Sequence, residues 1–177
     1  MTLRAPIDLA SLIREVPDFP RPGINFKDIT PLLAEPRAFR AATVGLASPF
    51  AAQDVDVVVG IESRGFIFGA SVAERLDAAF VPARKPKKLP WKRLSIEYQL
   101  EYGTDTLEMH EDAIQPGARV LIIDDLLATG GTSWAACELV RKQGGEILGC
   151  SFLIELSSLR GRQRLGDVHC HSLIEFA

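Results

Sequence analysis

Short apolar runs alternate along the chain with stretches in which apolar residues recur every three or four positions. The runs contain many β-branched residues and predict strands, whereas the periodic stretches predict amphipathic helices. The predicted strands are 55–59, 79–83, 119–124 and 146–154, and the predicted helices are 36–47, 66–76 and 133–142. Strands that alternate with helices are typical of an α/β fold with a central parallel sheet flanked by helices.

Two parts of the chain depart from this alternation. The N-terminal segment has apolar residues at helical spacing over 9–16, and a region rich in proline and glycine, which predicts an ordered loop, follows it over 16–33. Residues 94–110 have an alternating pattern around Gly103-Thr104-Asp105, which predicts an antiparallel excursion with a turn.

The length and composition indicate one ordinary globular domain. The chain has 177 residues, of which 47% are hydrophobic and 24% are charged. No long uninterrupted apolar block is present, so we expect no membrane association. The cysteines Cys137, Cys150 and Cys170 are far apart and form no CxxC pair, which argues against a disulfide framework or a zinc site and favours the cytoplasm.

The net charge of −3 conceals one strongly basic segment, residues 84–93. This basic segment, RKPKKLPWKR, carries six cations and no acid, so the rest of the chain is acidic. Either a solvated loop or a site for a compact polyanion explains such a segment. A nucleic-acid partner is disfavoured, because nucleic-acid binders are usually basic over a whole face.

The most informative motif is VLIIDDLLATGGTS, residues 120–133. An apolar strand is predicted to end at Asp124 and Asp125, and glycines and hydroxyl residues then lead into a helix. Glycines, hydroxyl donors and a helix N-terminus together favour a phosphate, whereas paired carboxylates can accept hydrogen bonds from sugar hydroxyls. The motif therefore indicates a ribose phosphate site; the alternative is a capped helix beside solvated acids.

Several motifs carry a resemblance to a known family. DDLLATGGT is similar to the phosphoribosyl-pyrophosphate (PRPP) signature of the type I phosphoribosyltransferases. PDFPRPGINFKDITPLL, GIESRGFIFG, RKPKKLP, YQLEYGTDTLE and IELSSLRGR extend the resemblance to the adenine-specific members along nearly the whole chain. The resemblance implies their Rossmann-like α/β fold in a single domain, 1–177. It also implies a hood (about 1–35 plus C-terminal segments) and a mobile antiparallel flap (about 84–105).

The resemblance assigns roles to residues of this chain. The loop at 128–132 would bind the 5′-phosphate, the aspartates the ribose hydroxyls, and the basic segment and the GIESRG turn the pyrophosphate. The implied PRPP-binding residues are Asp124, Asp125, Ala128, Thr129, Gly130, Gly131, Thr132, Ser63, Arg64, Arg84, Lys85, Lys88 and Tyr102. The implied adenine-binding residues are Asn25, Phe26, Lys27 and Leu156.

Glu101 resembles the acid/base residue of the family, which handles the proton that the purine must lose. The other acids of this region, Glu97, Glu108 and Glu111, are expected to be exposed strand acids. Lys87, Lys92 and Arg93 are expected to be solvated. His169 and His171 receive no metal-binding role, because a third ligand is not near them in the sequence.

The reaction that the resemblance implies is transfer of the phosphoribosyl group of PRPP to N9 of adenine, which forms AMP and pyrophosphate. Mg²⁺ would be the cofactor, held mainly by PRPP and water rather than directly by the protein. The resemblance also implies a homodimer. Two alternatives remain: a phosphoribosyltransferase for guanine, hypoxanthine or xanthine, and a regulator of the same fold that senses PRPP without turning it over.

Overall fold

A computed structural model describes residues 7–99 and 103–177. The chain divides into two compact units, one ending at Val44 and the other comprising Gly45–Ala177. The first unit contains the strands β1 (Arg14–Val16) and β2 (Phe26–Asp28), the helix α1 (Thr30–Ala34) and most of the helix α2 (Pro36–Ala47), whose last three residues belong to the second unit. In the described part of the chain, no helix is both long and apolar enough to cross a bilayer.

The N-terminal segment is not the helix that its apolar spacing suggests. Only a 3₁₀ turn forms, at Ala10–Leu12, where the Asp8 carboxylate accepts a hydrogen bond of 3.0 Å from the Ala10 amide. The chain then enters β1, which pairs antiparallel with β2. The Lys27 ammonium lies 3.0 Å from the Glu15 carboxylate across this pair. Pairing between strands thus overrides the local helical pattern.

The segment predicted as a loop also contains two regular elements, β2 and α1. The helix tolerates proline because Pro31 lies in its first turn, where the backbone N–H has no partner within the helix. The part of the chain without regular structure is therefore shorter than the loop predicted over 16–33.

The second unit is built on a five-stranded parallel sheet, which confirms the predicted fold class. Its elements are β3 (Val57–Ile61), α3 (Gly65–Leu76), β4 (Ala79–Ala83), β5 (Arg93–Gln99), β6 (Thr104–His110), β7 (Arg119–Leu127), α4 (Gly131–Lys142), β8 (Glu146–Leu156), α5 (Gly161–Leu165) and β9 (Cys170–Phe176). The strand order in the sheet is β4-β3-β7-β8-β9. All four neighbouring pairs are parallel, so the carboxyl ends of the strands meet at one edge.

The strands are buried because helices and a hairpin cover the sheet. All five residues of β3 are buried, as expected for a strand made of valine, glycine and isoleucine. One face, which includes Val59 and Ile122, packs in a core with Leu107 of β6 and Leu139 of α4. β5 and β6 pair antiparallel, as predicted, and form a separate two-stranded sheet that we call the hairpin.

A buried ion pair fastens α5 to the sheet. The Arg162 Nε donates to both carboxylate oxygens of Glu155, at 2.7 and 2.9 Å, and its Nη1 donates to the carbonyl of Cys170 at 2.6 Å. The Ser172 hydroxyl donates to Glu155 at 2.7 Å. These hydrogen bonds, chiefly those from Arg162, lower the pKa of Glu155, which is only 4% exposed. The α5 segment is thereby held to both β8 and β9.

We predict that Arg162→Met destabilises the protein by about 3 kcal/mol at pH 7, because it leaves the Glu155 carboxylate buried without its cation. The pKa of Glu155 is lowered in the folded state, so the ion pair stabilises the folded protein fully at pH values above the ordinary pKa of a glutamate, about 4.5. That stabilisation is lost as the pH falls through the lowered value.

Urea unfolding of the wild type and the variant at pH 7 and at pH 3.5 measures this effect. The difference in the free energy of unfolding between the wild type and the variant should be smaller at pH 3.5 than at pH 7. Arg141→Met is the matched control, because Arg141 pairs with Glu138 on a helix surface at 2.7 Å and should contribute less than about 1 kcal/mol. Equal losses from the two substitutions would contradict the buried role of Arg162.

Candidate functional site

The predicted phosphate loop, residues 128–132, lies between the end of β7 and the start of α4. Residues 128–130 form the turn and Gly131 begins the helix. Gly130 has a φ of +79°, a left-handed conformation that favours glycine. The 12-residue helix α4 directs its first backbone N–H groups at this turn. Such an N-terminus with a glycine turn can bind an anion such as phosphate.

Close backbone packing holds this loop in place. A methyl group on Gly130 would collide with the carbonyl oxygen of Gly161, and one on Gly161 would collide with the carbonyl oxygen of Ala128. The loop therefore contacts the start of α5 backbone to backbone, which only glycine permits at both positions. Gly161 was not among the predicted site residues; its position between two arginines in SLRGR gave no indication of this contact.

Asp124 and Asp125 lie within β7, three and two residues before its end, whereas the sequence predicted that the strand ends at these aspartates. The strand is longer because β7 continues to pair with β8 as far as Leu127 and Glu155. Asp124 and Asp125 are only 9% and 5% exposed. The Asp125 amide donates to the Asp124 carboxylate at 2.9 Å.

Burial dominates the electrostatics of this pair. Burial raises the pKa of Asp124 well above its ordinary range, and the neighbouring Asp125 carboxylate raises it further. Burial also raises the pKa of Asp125, although Arg64, whose Nε lies 2.7 Å from its carboxylate, opposes the shift. Both acids can thus favour their neutral form more than exposed acids do, which weakens their repulsion of an approaching phosphate.

The turn after β3 carries Ser63 and Arg64, and a cis peptide joins Glu62 to Ser63. The next residue, Gly65, allows α3 to approach β7, because a methyl group there would lie 2.8 Å from Oδ1 of Asp124. This approach places Arg64 beside Asp125. Arg64, which is predicted to bind pyrophosphate, and the two aspartates, which are predicted to bind the ribose, therefore lie together at one edge of the sheet.

Glu62, which the sequence did not single out, organises the basic segment. Its carboxylate lies 3.3 Å from the Arg84 Nε and 3.3 Å from the Lys88 Nζ, and it accepts a hydrogen bond of 2.8 Å from the Lys85 amide. Burial alone would raise the pKa of Glu62, but these three donors outweigh burial and lower it. Its place directly after a buried strand in GIESRG was the available signal.

Lys85 belongs to a second cluster, on the hairpin. Its ammonium forms a short ion pair with the Asp105 carboxylate and donates to the Tyr98 hydroxyl at 2.7 Å. Burial would lower the pKa of Lys85, but Asp105 and Tyr98 raise it overall. All four predicted pyrophosphate cations in the described residues, Arg64, Arg84, Lys85 and Lys88, thus lie within 4 Å of a carboxylate.

One expectation about the flap charges is wrong. Glu108 is 5% exposed rather than a surface acid, because the Arg93 Nε at 3.0 Å and the Lys87 amide at 3.1 Å surround its carboxylate. Arg93 is exposed as expected, although its guanidinium also pairs with Glu108. Glu97 is exposed as expected, and Glu111 lies 3.9 Å from Lys92 at the surface.

Glu101 and Tyr102, the predicted acid/base and one predicted PRPP residue, lie outside the described residues. Among the residues that are described, no group of three or more histidine, cysteine, aspartate or glutamate side chains could hold a metal ion. Asp124 and Asp125 are the carboxylates closest to the phosphate loop in sequence, and carboxylates of this kind could hold a hydrated cation through its waters.

The predicted base-binding residues fall in different units. In the first unit, Phe26 packs edge to face on Phe19 with centroids 5.2 Å apart, and the Asn25 amide donates to Glu15 at 2.5 Å. Lys27 pairs with the same glutamate. In the second unit, Leu156 ends β8 and is partly exposed, one residue beyond the buried Glu155.

The chain is similar to known proteins over most of its length. A family model described as the phosphoribosyl transferase domain matches residues 31–177. The chain is 58% identical over 174 residues to the adenine phosphoribosyltransferase of Sorangium cellulosum, covering 96% of this chain and 87% of that protein.

Two solved structures extend the comparison. The crystal structure of adenine phosphoribosyltransferase from Rhodothermus marinus aligns with a TM-score of 0.92 and 57% identity over 95% of this chain and 96% of that one. The enzyme from Saccharomyces cerevisiae, solved with an imino-altritol bisphosphate and adenine, aligns with a TM-score of 0.85 and 36% identity over 94% and 95% of the two chains.

We predict that Asp124→Asn raises the thermal stability of the unliganded protein at pH 8. Since burial raises the pKa of Asp124 in the folded state, its contribution to stability is full below its ordinary pKa and is lost as the pH rises through the raised value. Asparagine retains an oxygen that can accept from the Asp125 amide. Melting temperatures between pH 4 and pH 8 should show a gain that grows with pH, whereas the exposed Asp112→Asn should show none. A variant that melts lower than the wild type at pH 8 would contradict the shift.

Proposed function

The chain belongs to the family of adenine phosphoribosyltransferases, and we propose that it transfers the 5-phosphoribosyl group of PRPP to N9 of adenine, forming AMP and pyrophosphate. The observation that carries the proposal is the junction of β7 and α4. There a buried carboxylate pair precedes a glycine turn at a helix N-terminus, so one short segment can hold both parts of a ribose phosphate.

In this proposal, Ala128, Thr129, Gly130, Gly131 and Thr132 bind the 5′-phosphate through backbone N–H groups and hydroxyls. Asp124 and Asp125 accept hydrogen bonds from the ribose hydroxyls. Ser63, Arg64, Arg84, Lys85, Lys88 and Tyr102 bind the pyrophosphate. The pairing of these cations with Glu62, Asp105 and Asp125 supports the assignment, because it holds them close to the sheet edge before the ligand arrives.

The chemical step breaks the bond between C1′ and the pyrophosphate oxygen and forms the bond between C1′ and N9. Positive charge develops on the ribose and negative charge on the leaving group, so fixed cations stabilise the transition state. The purine loses one proton, and we assign Glu101 as the group that accepts it. Adenine would be held by Phe26 stacking, by the backbone of Asn25 and Lys27, and by Leu156.

The proposed cofactor is Mg²⁺, which would bind with PRPP. A hard cation of this kind supplies charge neutralisation to the pyrophosphate and prefers oxygen ligands, among them water. Asp124 and Asp125 are the carboxylates that would orient its waters. The proposal needs no cluster of protein ligands.

We further propose that the protein is a homodimer of the cytoplasm, in the purine salvage pathway. The family relationship supports the dimer. The three cysteines, which are far apart in the sequence and form no CxxC pair, support a reducing compartment. Nucleic acid and membrane partners are not part of this proposal.

We predict that purified protein with PRPP and Mg²⁺ converts adenine to AMP and releases one pyrophosphate per AMP. Parallel reactions with hypoxanthine, guanine, xanthine and uracil test the base, and reactions with EDTA test the metal. Turnover should require adenine and should stop in EDTA. Use of another purine would overturn the assignment of the base, whereas PRPP binding without turnover of any base would favour a regulator.

For Glu101→Gln we expect PRPP affinity close to that of the wild type but a loss of kcat of about 10²- to 10⁴-fold with adenine, because the amide cannot accept the proton. Stopped assays of AMP formation and calorimetric titration of PRPP measure the two quantities. Glu97→Gln is the matched control, since Glu97 is an exposed acid of β5 that lies four residues earlier in the chain. An unchanged kcat in Glu101→Gln would remove the residue from acid/base catalysis.

A further inference from the structure

Arg164, the fourth residue of α5, lies beside the first turn of α4. A methyl group on Gly131, the residue that begins α4, would lie 3.4 Å from the Arg164 Nη1. The guanidinium carbon also lies 5.7 Å from the centroid of the Trp134 ring, three residues further along α4. The first residue of α5, Gly161, contacts the phosphate loop backbone to backbone. A positive charge is therefore fixed close to the phosphate loop, on the short helix that packs against it.

Two groups without a net charge hold the Arg164 side chain in place. Its Nη1 donates a hydrogen bond of 3.0 Å to the carbonyl oxygen of Gln99, the last residue of β5. The π electrons of the Trp134 ring attract the guanidinium as well. Both contacts restrict where the guanidinium can lie, and neither cancels its charge.

Arg164 differs in this respect from the cations assigned to pyrophosphate. The four of those that lie in the described residues are each within 4 Å of a carboxylate. In the part of the chain that the structure describes, no carboxylate lies within 4 Å of Arg164. A guanidinium stays charged at neutral pH, so an anion bound nearby experiences its field.

We propose that Arg164 is a further residue of the 5′-phosphate site, which attracts the phosphate through a charge that no neighbouring carboxylate cancels. This inference rests on the proposed function, because it takes the ligand of the loop from there. The N-terminus of α4 carries a partial positive charge, and a full cation beside its first residue increases the positive potential at the loop. Because the side chain is already ordered, it loses little conformational entropy when the anion binds.

The test compares two substitutions of Arg164. Arg164→Met removes the charge and keeps an unbranched side chain beside Trp134, whereas Arg164→Lys keeps the charge. Arg164 is partly exposed, so neither substitution removes a fully buried group. Ribose 5-phosphate and AMP are the probes of the phosphate loop, because they carry the 5′-phosphate without the pyrophosphate. Adenine is the ligand that lacks a phosphate.

Calorimetric titration at low ionic strength measures the three affinities. We expect Arg164→Met to raise the Kd for ribose 5-phosphate and for AMP about three- to tenfold, the size expected for one charge several ångströms away in a medium of intermediate dielectric constant. The Kd for adenine should change less than about twofold. Arg164→Lys should retain most of the wild-type affinity for both phosphate ligands.

Ionic strength separates an effect of charge from an effect of packing. The Debye length falls from about 10 Å at 0.1 M salt to about 3 Å at 1 M, so the difference between the wild type and Arg164→Met should shrink to less than about twofold at 1 M KCl. A loss of affinity that persists at 1 M KCl, or equal losses in Arg164→Met and Arg164→Lys, would overturn the inference. Either result would mean that Arg164 acts by holding β5 against α4.

Arg75→Met is the matched control, because it removes the same charge from an exposed position in the last turn of α3. α3 begins at the edge of the sheet where the site lies, so its last turn is directed away from the site. The Kd for each of the three ligands should stay within about twofold of the wild-type value. An equal loss in Arg75→Met would contradict the inference, because net charge rather than the position of Arg164 would then explain the affinity.

The outcomes also separate this inference from the proposed function. If the wild type binds ribose 5-phosphate and AMP and Arg164→Met binds them equally well, the role of Arg164 is wrong while the function stands. If the wild type binds neither phosphate ligand, the proposed function is wrong and the inference falls with it.

Discussion

The arrangement of the site depends on the backbone contact between Gly161 and the turn that follows β7. Because neither Gly130 nor Gly161 has a side chain, the carbonyl oxygens of Gly161 and Ala128 can lie against the opposite backbone. This contact fixes where the turn lies and therefore where the N-terminus of α4 begins. Arg162 fastens the same segment to Glu155 on β8, so the ion pair and the glycine contact support one another.

The charges of the site are arranged around acids in the protein itself. Glu62 gathers Arg84 and Lys88, Asp105 holds Lys85, and Asp125 holds Arg64. Long cationic side chains lose conformational entropy when they bind an anion, and this loss is smaller if they are already ordered. A polyanion therefore meets cations whose positions are largely set by their carboxylate partners.

The sequence predicted the sheet well because its pattern is strong. β4 and α2 have the predicted bounds, and β5 and β6 pair antiparallel as predicted, although Thr104 and Asp105, which were predicted to lie in the turn, already belong to β6. The failures have physical causes. A strand, β1, forms where a helix was predicted, because it pairs with β2. β7 is longer than predicted, because β8 pairs with it as far as Leu127.

The predicted residues around β3 and β7 could be identified because glycines, hydroxyls and carboxylates concentrate in short motifs. Gly161 could not, since its role depends on a contact with a segment far away in the chain, and the only signal for Glu62 was its place after a buried strand. Burial of Glu108 was missed for the same reason: its cation, Arg93, belongs to the opposite strand of the hairpin.

The partial neutralisation of the cations by Glu62, Asp105 and Asp125 has a consequence for the rate at which an anionic substrate arrives. A basic segment facing solvent would create a field that reaches about one Debye length, roughly 8 Å at physiological salt, and would draw anions in from bulk solution. Here the carboxylates cancel much of that field at a distance, while individual N–H groups remain available at contact. The association rate of a polyanion should then depend only weakly on ionic strength, and selectivity should come from short-range geometry after the encounter.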